Sequence, residues 1–192
     1  HFYLATALER LGRADEALPL ARRAIELDPL SVNPNMTLGA ALLFGGRLDE
    51  AARQFRRVIA MQSGLALASV WLCATLAISG QGQESLAVAE RMMQDMGEAR
   101  IARATLAMAY SVSGRIVEAR QIQTDLGDSP DTPRFQHAMI YAMIGDDEAT
   151  FDWLERAFVA RTDMYTLRAH PAFARMHAQP RFVRLLERLD LR

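Results

Sequence analysis

An all-α solenoid of stacked helix pairs is the fold class this sequence predicts, and three observations predict it. Glycines stand at Gly12, Gly46, Gly80 and Gly114, 34 residues apart each time. Five residues after each comes a small residue: Ala17, Ala51, Ser85 and Ala119. Each glycine also opens a similar phrase: GRADEALPLARRAIELDP from Gly12 to Pro29, then GRLDEAARQFRRVIAM, GQGQESLAVAERM and GRIVEARQIQ. A fixed period of this length means that each unit buries its apolar face only against its neighbours. Such a stack offers long grooves rather than an enclosed active site, so it points to protein–protein interaction over catalysis.

The elements follow in order. Helix A of the first repeat is expected over about Phe2–Leu11 and helix B over about Ala14–Leu27. Pro19 is read in the first turn of that B helix, where no N–H is needed, and Pro29 stops the helix from continuing. Asn33-Pro34 reads as an N-cap followed by proline at the first helical position, opening the second A helix, which ends at Gly45-Gly46. The second B helix covers about Leu48–Gln62, and the third pair about Leu65–Ser79 and Gln83–Met96. The fourth pair covers about Glu98–Ser113 and Val117–Leu126.

Residues 127–133 form a dense turn cluster, and the next repeat glycine, Gly145, comes only 31 residues after Gly114. A local change of superhelical angle is expected there. The fifth pair is expected over Arg134–Ile144 and Glu148–Val159. The repeats thus divide as 1–31, 32–65, 66–99, 100–130 and 131–160, with 161–192 as a helical cap. In that tail His170-Pro171-Ala172-Phe173 and Gln179-Pro180-Arg181-Phe182 each place proline at a helix start. Phe182, Leu185, Leu186 and Leu189 form one apolar stripe with Arg181, Arg184 and Arg188 opposite. Solenoid ends need such a cap. Residues 161–192 carry seven arginines against three acids, read mainly as a solvated outer face.

The period, the Gly–x–x–x–x–Ala phrase and the closing Asp28-Pro29 together resemble the tetratricopeptide repeat. The resemblance spans about residues 1–160, and in repeat two Leu38, Gly39 and Leu42, then Ala51, Phe55 and Val58, fall on the family's positions. It implies antiparallel helices A and B stacked into a right-handed superhelix, with ligands in a concave groove lined by helix A. Carrying that frame onto this chain nominates Met36, Leu43, Phe44, Val70, Ile78, Met108, Val112, Phe135, Met139 and Met143 as a partner-binding groove. The lining is apolar and methionine-rich, which suits an amphipathic helix or a second copy of the chain. Phe44→Glu and Met108→Glu are the natural probes. The lysine, arginine and asparagine that hold a chaperone's C-terminal carboxylate in other members are absent, which argues against a carboxylate clamp.

Gly145-Asp146-Asp147-Glu148-Ala149, Trp153-Leu154-Glu155-Arg156-Ala157 and the two x-Pro-x-Phe phrases resemble a narrower bacterial group. In that group such repeats follow a class III adenylate or guanylate cyclase or a winged-helix DNA-binding regulator. This implies the sensing or assembly arm of a larger signalling protein. Because His1 falls about three residues inside a repeat, the chain is expected to be a C-terminal fragment. Two alternatives stand beside the docking arm: a homodimerisation module for an upstream cyclase or DNA-binding domain, and a fragment of an enzyme whose active site lies upstream.

Bulk composition narrows the partners. Net charge is −1, and all 22 basic residues are arginine, so there is no electrostatic case for nucleic acid. Neither a signal peptide nor a membrane-crossing run is found, and the short apolar stretch Leu65–Ile78 reads as a buried helix; a cytoplasmic location is expected. Cys73 is the one cysteine, at the position where repeat two has Gly39, and reads as packing. His170 and His177 are split by proline breaks, which disfavours a metal site. Asp146, Asp147 and Glu148 are explained by the N-terminus of a helix. No catalytic set, metal, cofactor or small-molecule substrate is expected; the expected partner is a protein or peptide segment, or a second copy.

Overall fold

The structure, a computed structural model, describes residues 2–10, 13–129, 134–162 and 164–191. Among them the regular elements are helical: α1 Phe2–Arg10, α2 Ala14–Leu27, α3 Val32–Phe44, α4 Leu48–Met61, α5 Ala66–Ile78, α6 Gly82–Met96, α7 Arg100–Val112, α8 Ile116–Leu126, α9 Arg134–Ile144 and α10 Asp147–Val159. A 3-10 helix, Pro171–Met176, and α11, Pro180–Arg188, follow. Each of α1 to α10 lies within about two residues of its expected bounds. Two readings change. Pro19 lies in the second turn of α2, where its ring removes a hydrogen bond to the Asp15 carbonyl; both residues are exposed, so water can take that carbonyl. α3 starts at Val32 with Ser31 as N-cap, so Pro34 occupies its third position, where the N–H is still not needed.

The repeat phrase has a clear physical basis. Gly46 (φ 73°) and Gly114 (φ 84°) take the left-handed backbone that ends an A helix; Gly12 and the turn residues 130–133 lie outside the described residues. The residue after the glycine sits at the N-cap of the B helix, and there an arginine pairs with the glutamate three residues on. Arg13–Glu16 lie at 2.6 Å, Arg47–Glu50 at 2.7 Å and Arg115–Glu118 at 2.9 Å. The small residues Ala17, Ala51, Ser85 and Ala119 are fully buried, which lets helices approach closely. Gly39 is a tighter case: a Cβ there would stand 2.6 Å from the Phe55 ring.

The chain divides into two compact units. One holds residues 1–75 together with 165–192; the other holds 76–164. In the first, α1, α2, α3 and α4 pack in sequence, and α1 also touches α3, so A helices lie side by side. In the second, α6 packs on α7, α7 on α8 and α9, and α9 on α10. Cys73 is fully buried. The tail holds the 3-10 helix and α11, and it joins the compact unit of the first repeats.

Candidate interaction surface

The ten nominated positions separate by burial. In the first unit Met36, Phe44 and Val70 are half-buried, while Leu43 is fully enclosed. In the second, Ile78, Val112, Phe135 and Met143 are half-buried, while Met108 and Met139 are buried. An A helix touches neighbours on two sides, so a position next to the groove and one between helices carry the same residue types. Met108→Glu would therefore place a charge in the chain's interior and test folding rather than binding.

The Phe44 ring meets Trp71 edge-on at 5.9 Å and His170 edge-on at 5.8 Å. Trp71 in turn stacks on Phe55 at 6.1 Å. On the other side His170 meets Phe173 at 5.9 Å, Phe173 stacks on Phe182 at 6.1 Å, and His177 stacks on Phe182 at 5.4 Å. One row of rings thus runs from α4 through α5 and α3 into the tail. His170 caps its own 3-10 helix by accepting from the Ala172 N–H at 3.3 Å, and burial pushes its pKa down to about 4. The sequence displays both Pro-x-Phe phrases but not their destination, because that contact joins residues more than a hundred apart.

A second buried histidine lies in the other unit. His137 of α9 hydrogen-bonds through Nδ1 to Gln123 of α8 and stacks flat on Trp153 of α10, 4.1 Å between centroids at 13°. Arg156 covers the same indole at 5.0 Å and pairs with Asp152 at 3.1 Å. Burial lowers the His137 pKa to about 4, and Nε2 of both His137 and Gln123 is buried without a partner. A shallow depression of about 350 Å³ nearby is lined by Asp128, Arg134, Asp152, Glu155, Arg156, Val159 and Ala160. Its charges already meet one another: Arg134–Asp128 at 2.8 Å and Arg156–Asp128 at 3.7 Å. Among the described residues no group of three His, Cys, Asp or Glu side chains is placed to hold a metal ion.

Two tetratricopeptide-repeat family models match the sequence, one over residues 1–31 and one over residues 36–57. Residues 1–31 and 36–57 carry tetratricopeptide repeats. Solved structures with this repeat share its fold. A thermophilic tetratricopeptide-repeat protein of Thermus thermophilus aligns with a TM-score of 0.65 at 20% identity, over 90% of this chain and 97% of that one. MamA from Desulfovibrio magneticus RS-1 aligns at 0.56 and 18%, over 84% and 93%. YrrB, described as a tetratricopeptide-repeat protein with an unusual peptide-binding site, aligns at 0.52 and 19%, over 88% and 89%. No curated protein sequence matches the chain. Tetratricopeptide-repeat proteins are interaction scaffolds that bind proteins or peptides. No helix among the described residues is long and apolar enough to cross a membrane.

Proposed function

We propose that this tetratricopeptide chain is a non-catalytic docking arm of a larger bacterial signalling protein, and that it binds an apolar, helix-forming protein segment along its A helices. The observation that carries the reading is the set of half-buried apolar side chains on those helices: Met36, Phe44 and Val70 in one unit, and Ile78, Val112, Phe135 and Met143 in the other. Half-buried apolar side chains hold area that a partner can remove from water, at about 25 cal/mol per Å². The net charge of −1 favours a protein partner over nucleic acid. The signalling context rests on the GDDEA, WLERA and Pro-x-Phe phrases near the C-terminus.

Isothermal titration with amphipathic helical peptides tests the reading. Phe44→Glu and Met143→Glu should each weaken binding at least tenfold, with helical circular dichroism unchanged. Binding unaffected by both substitutions would refute it.

Self-association is the second reading, and a different surface favours it. Tyr3 is 85% exposed and Leu30 81% exposed, with Leu4 and Leu27 also open to solvent. Light scattering over a concentration series decides: Tyr3→Ser with Leu30→Ser should abolish a dimer if this surface makes one.

A further inference from the structure

We propose that the tail, residues 165–191, is an intramolecular ligand of the first repeats, seated on Phe44, and that a protein partner presenting a similar short amphipathic segment with a ring for Phe44 competes with it. The inference rests on the docking reading above and names the partner's chemistry.

Four observations carry it. The tail shares a compact unit with residues 1–75, from which it is far removed in sequence. His170 lies against Phe44, a position that also belongs to the expected ligand-facing row of α3. Leu167, Phe173, Met176, Phe182 and Leu185 are at most 1% exposed. Helical pieces of six and nine residues cannot hide five such side chains by themselves. Finally, the tail has the build of a groove ligand rather than of a sixth repeat. It carries no repeat glycine, two proline-started helical pieces, and an α11 with Phe182 and Leu185 buried while Val183, Arg184, Glu187 and Arg188 are exposed.

The energetics favour a seat that is closed at rest and open to competition. A tethered segment meets its site as an intramolecular ligand, so a free partner of equal affinity competes only above the tail's effective concentration, and gains access as the tail is weakened. The repeat face thereby reports its own specificity: what it holds now is a proline-started helix with rings at its leading edge.

The test uses the full chain and a fluorescent peptide of residues 165–191, read by anisotropy. The unaltered chain should bind the peptide weakly. Phe173→Ala, which loosens the tethered tail, should bind it at least tenfold more tightly, and adding Phe44→Glu should cancel that gain. Hydrogen exchange on the unaltered chain is the independent measurement. Amides of 172–188 should open without α3 and α4, and the peptide in excess should speed their exchange. Two results overturn the proposal: no gain in a folded Phe173→Ala chain, or exchange of the tail only together with α3 and α4. An unrelated amphipathic helix separates the two readings. If it fails on the loosened chain while the tail peptide binds, the general docking reading falls and the self-ligand stands. If it binds through Phe44 and leaves tail exchange unchanged, docking stands and the self-ligand falls.

Discussion

Repeat two and repeat five press helix A against helix B by opposite means. In repeat two a glycine makes room: Gly39 of α3 leaves the space that the Phe55 ring of α4 fills. In repeat five the glycine position is taken by Ala138, seven residues before Gly145 as Gly39 is before Gly46. The turn there is one residue shorter, so Trp153 stands where repeat two has Phe55. Its indole lies flat on the neighbouring His137. One contact is apolar and closes by small-to-large fit. The other closes by ring stacking and brings an imidazole and the Gln123 amide into the interior, each with a nitrogen left unpaired. A repeat period thus fixes where helices meet, and leaves open the chemistry by which they do.

The largest expected effect breaks the apolar contact. Phe55→Ala should cost about 3–5 kcal/mol, because a fully buried ring is lost and a cavity remains. It also removes the ring on which Trp71 stacks, so Trp71 emission should shift before the denaturation midpoint is reached. Gly39→Ala attacks the same contact from the other side and should cost about 1–3 kcal/mol by overpacking. The double variant Gly39→Ala with Phe55→Leu should cost less than the sum of the two single changes. Additive losses would mean that these residues do not meet.

The polar contact breaks with acid instead. Free histidine titrates near 6.5, and both His137 and His170 are held at about 4 by burial. Between those values the unfolded chain takes up protons that the folded chain refuses. Their contribution is therefore complete above about pH 6.5 and is lost as pH falls towards 4, by on the order of 3 kcal/mol for each histidine at the limit. His137→Phe keeps a ring for Trp153 and removes one titrating group. Urea midpoints at pH 7.5 and pH 5 should then differ by less than in the unaltered chain, with the share of His170 remaining. An unchanged difference would show that His137 is not held neutral in repeat five.

How much of this was legible follows the range of the forces involved. Helix bounds were readable because the 34-residue period, the glycines and the apolar spacing are local signals. The start of α3 was not. Asn35, inside the helix, donates to the Ser31 carbonyl at 2.8 Å and accepts from Gln54 of α4 at 2.7 Å, contacts that go with an earlier start. The Arg-x-x-Glu staple was present three times in the sequence at a fixed distance from the glycine and could have been found by spacing alone. The interaction surface was legible only in outline. Seven nominated residues are partly open and three are enclosed, since apolar identity does not distinguish a groove wall from an interhelical seam. The seat of the tail on Phe44 was out of reach, because no local pattern in either segment names the other.

The smallest effect sharpens the comparison at the turns. Repeat two begins α4 with the exposed Arg47–Glu50 pair, and the cap makes no side-chain bond to the helix backbone. Repeat five begins α10 with Asp146, whose carboxylate accepts from the Ala149 N–H at 3.0 Å and meets Arg120 of α8 at 2.8 Å. The Ala149 N–H, then Arg120, hold that carboxyl below its ordinary pKa. Asp146→Ala removes a true cap and should cost about 1 kcal/mol in thermal or urea denaturation. Glu50→Ala removes only a solvent-screened pair and should leave the midpoint within replicate scatter at physiological salt. Equal losses would mean that the arginine–glutamate staple fastens α4 as firmly as a backbone cap fastens α10, and the two repeats would then differ in their interior alone.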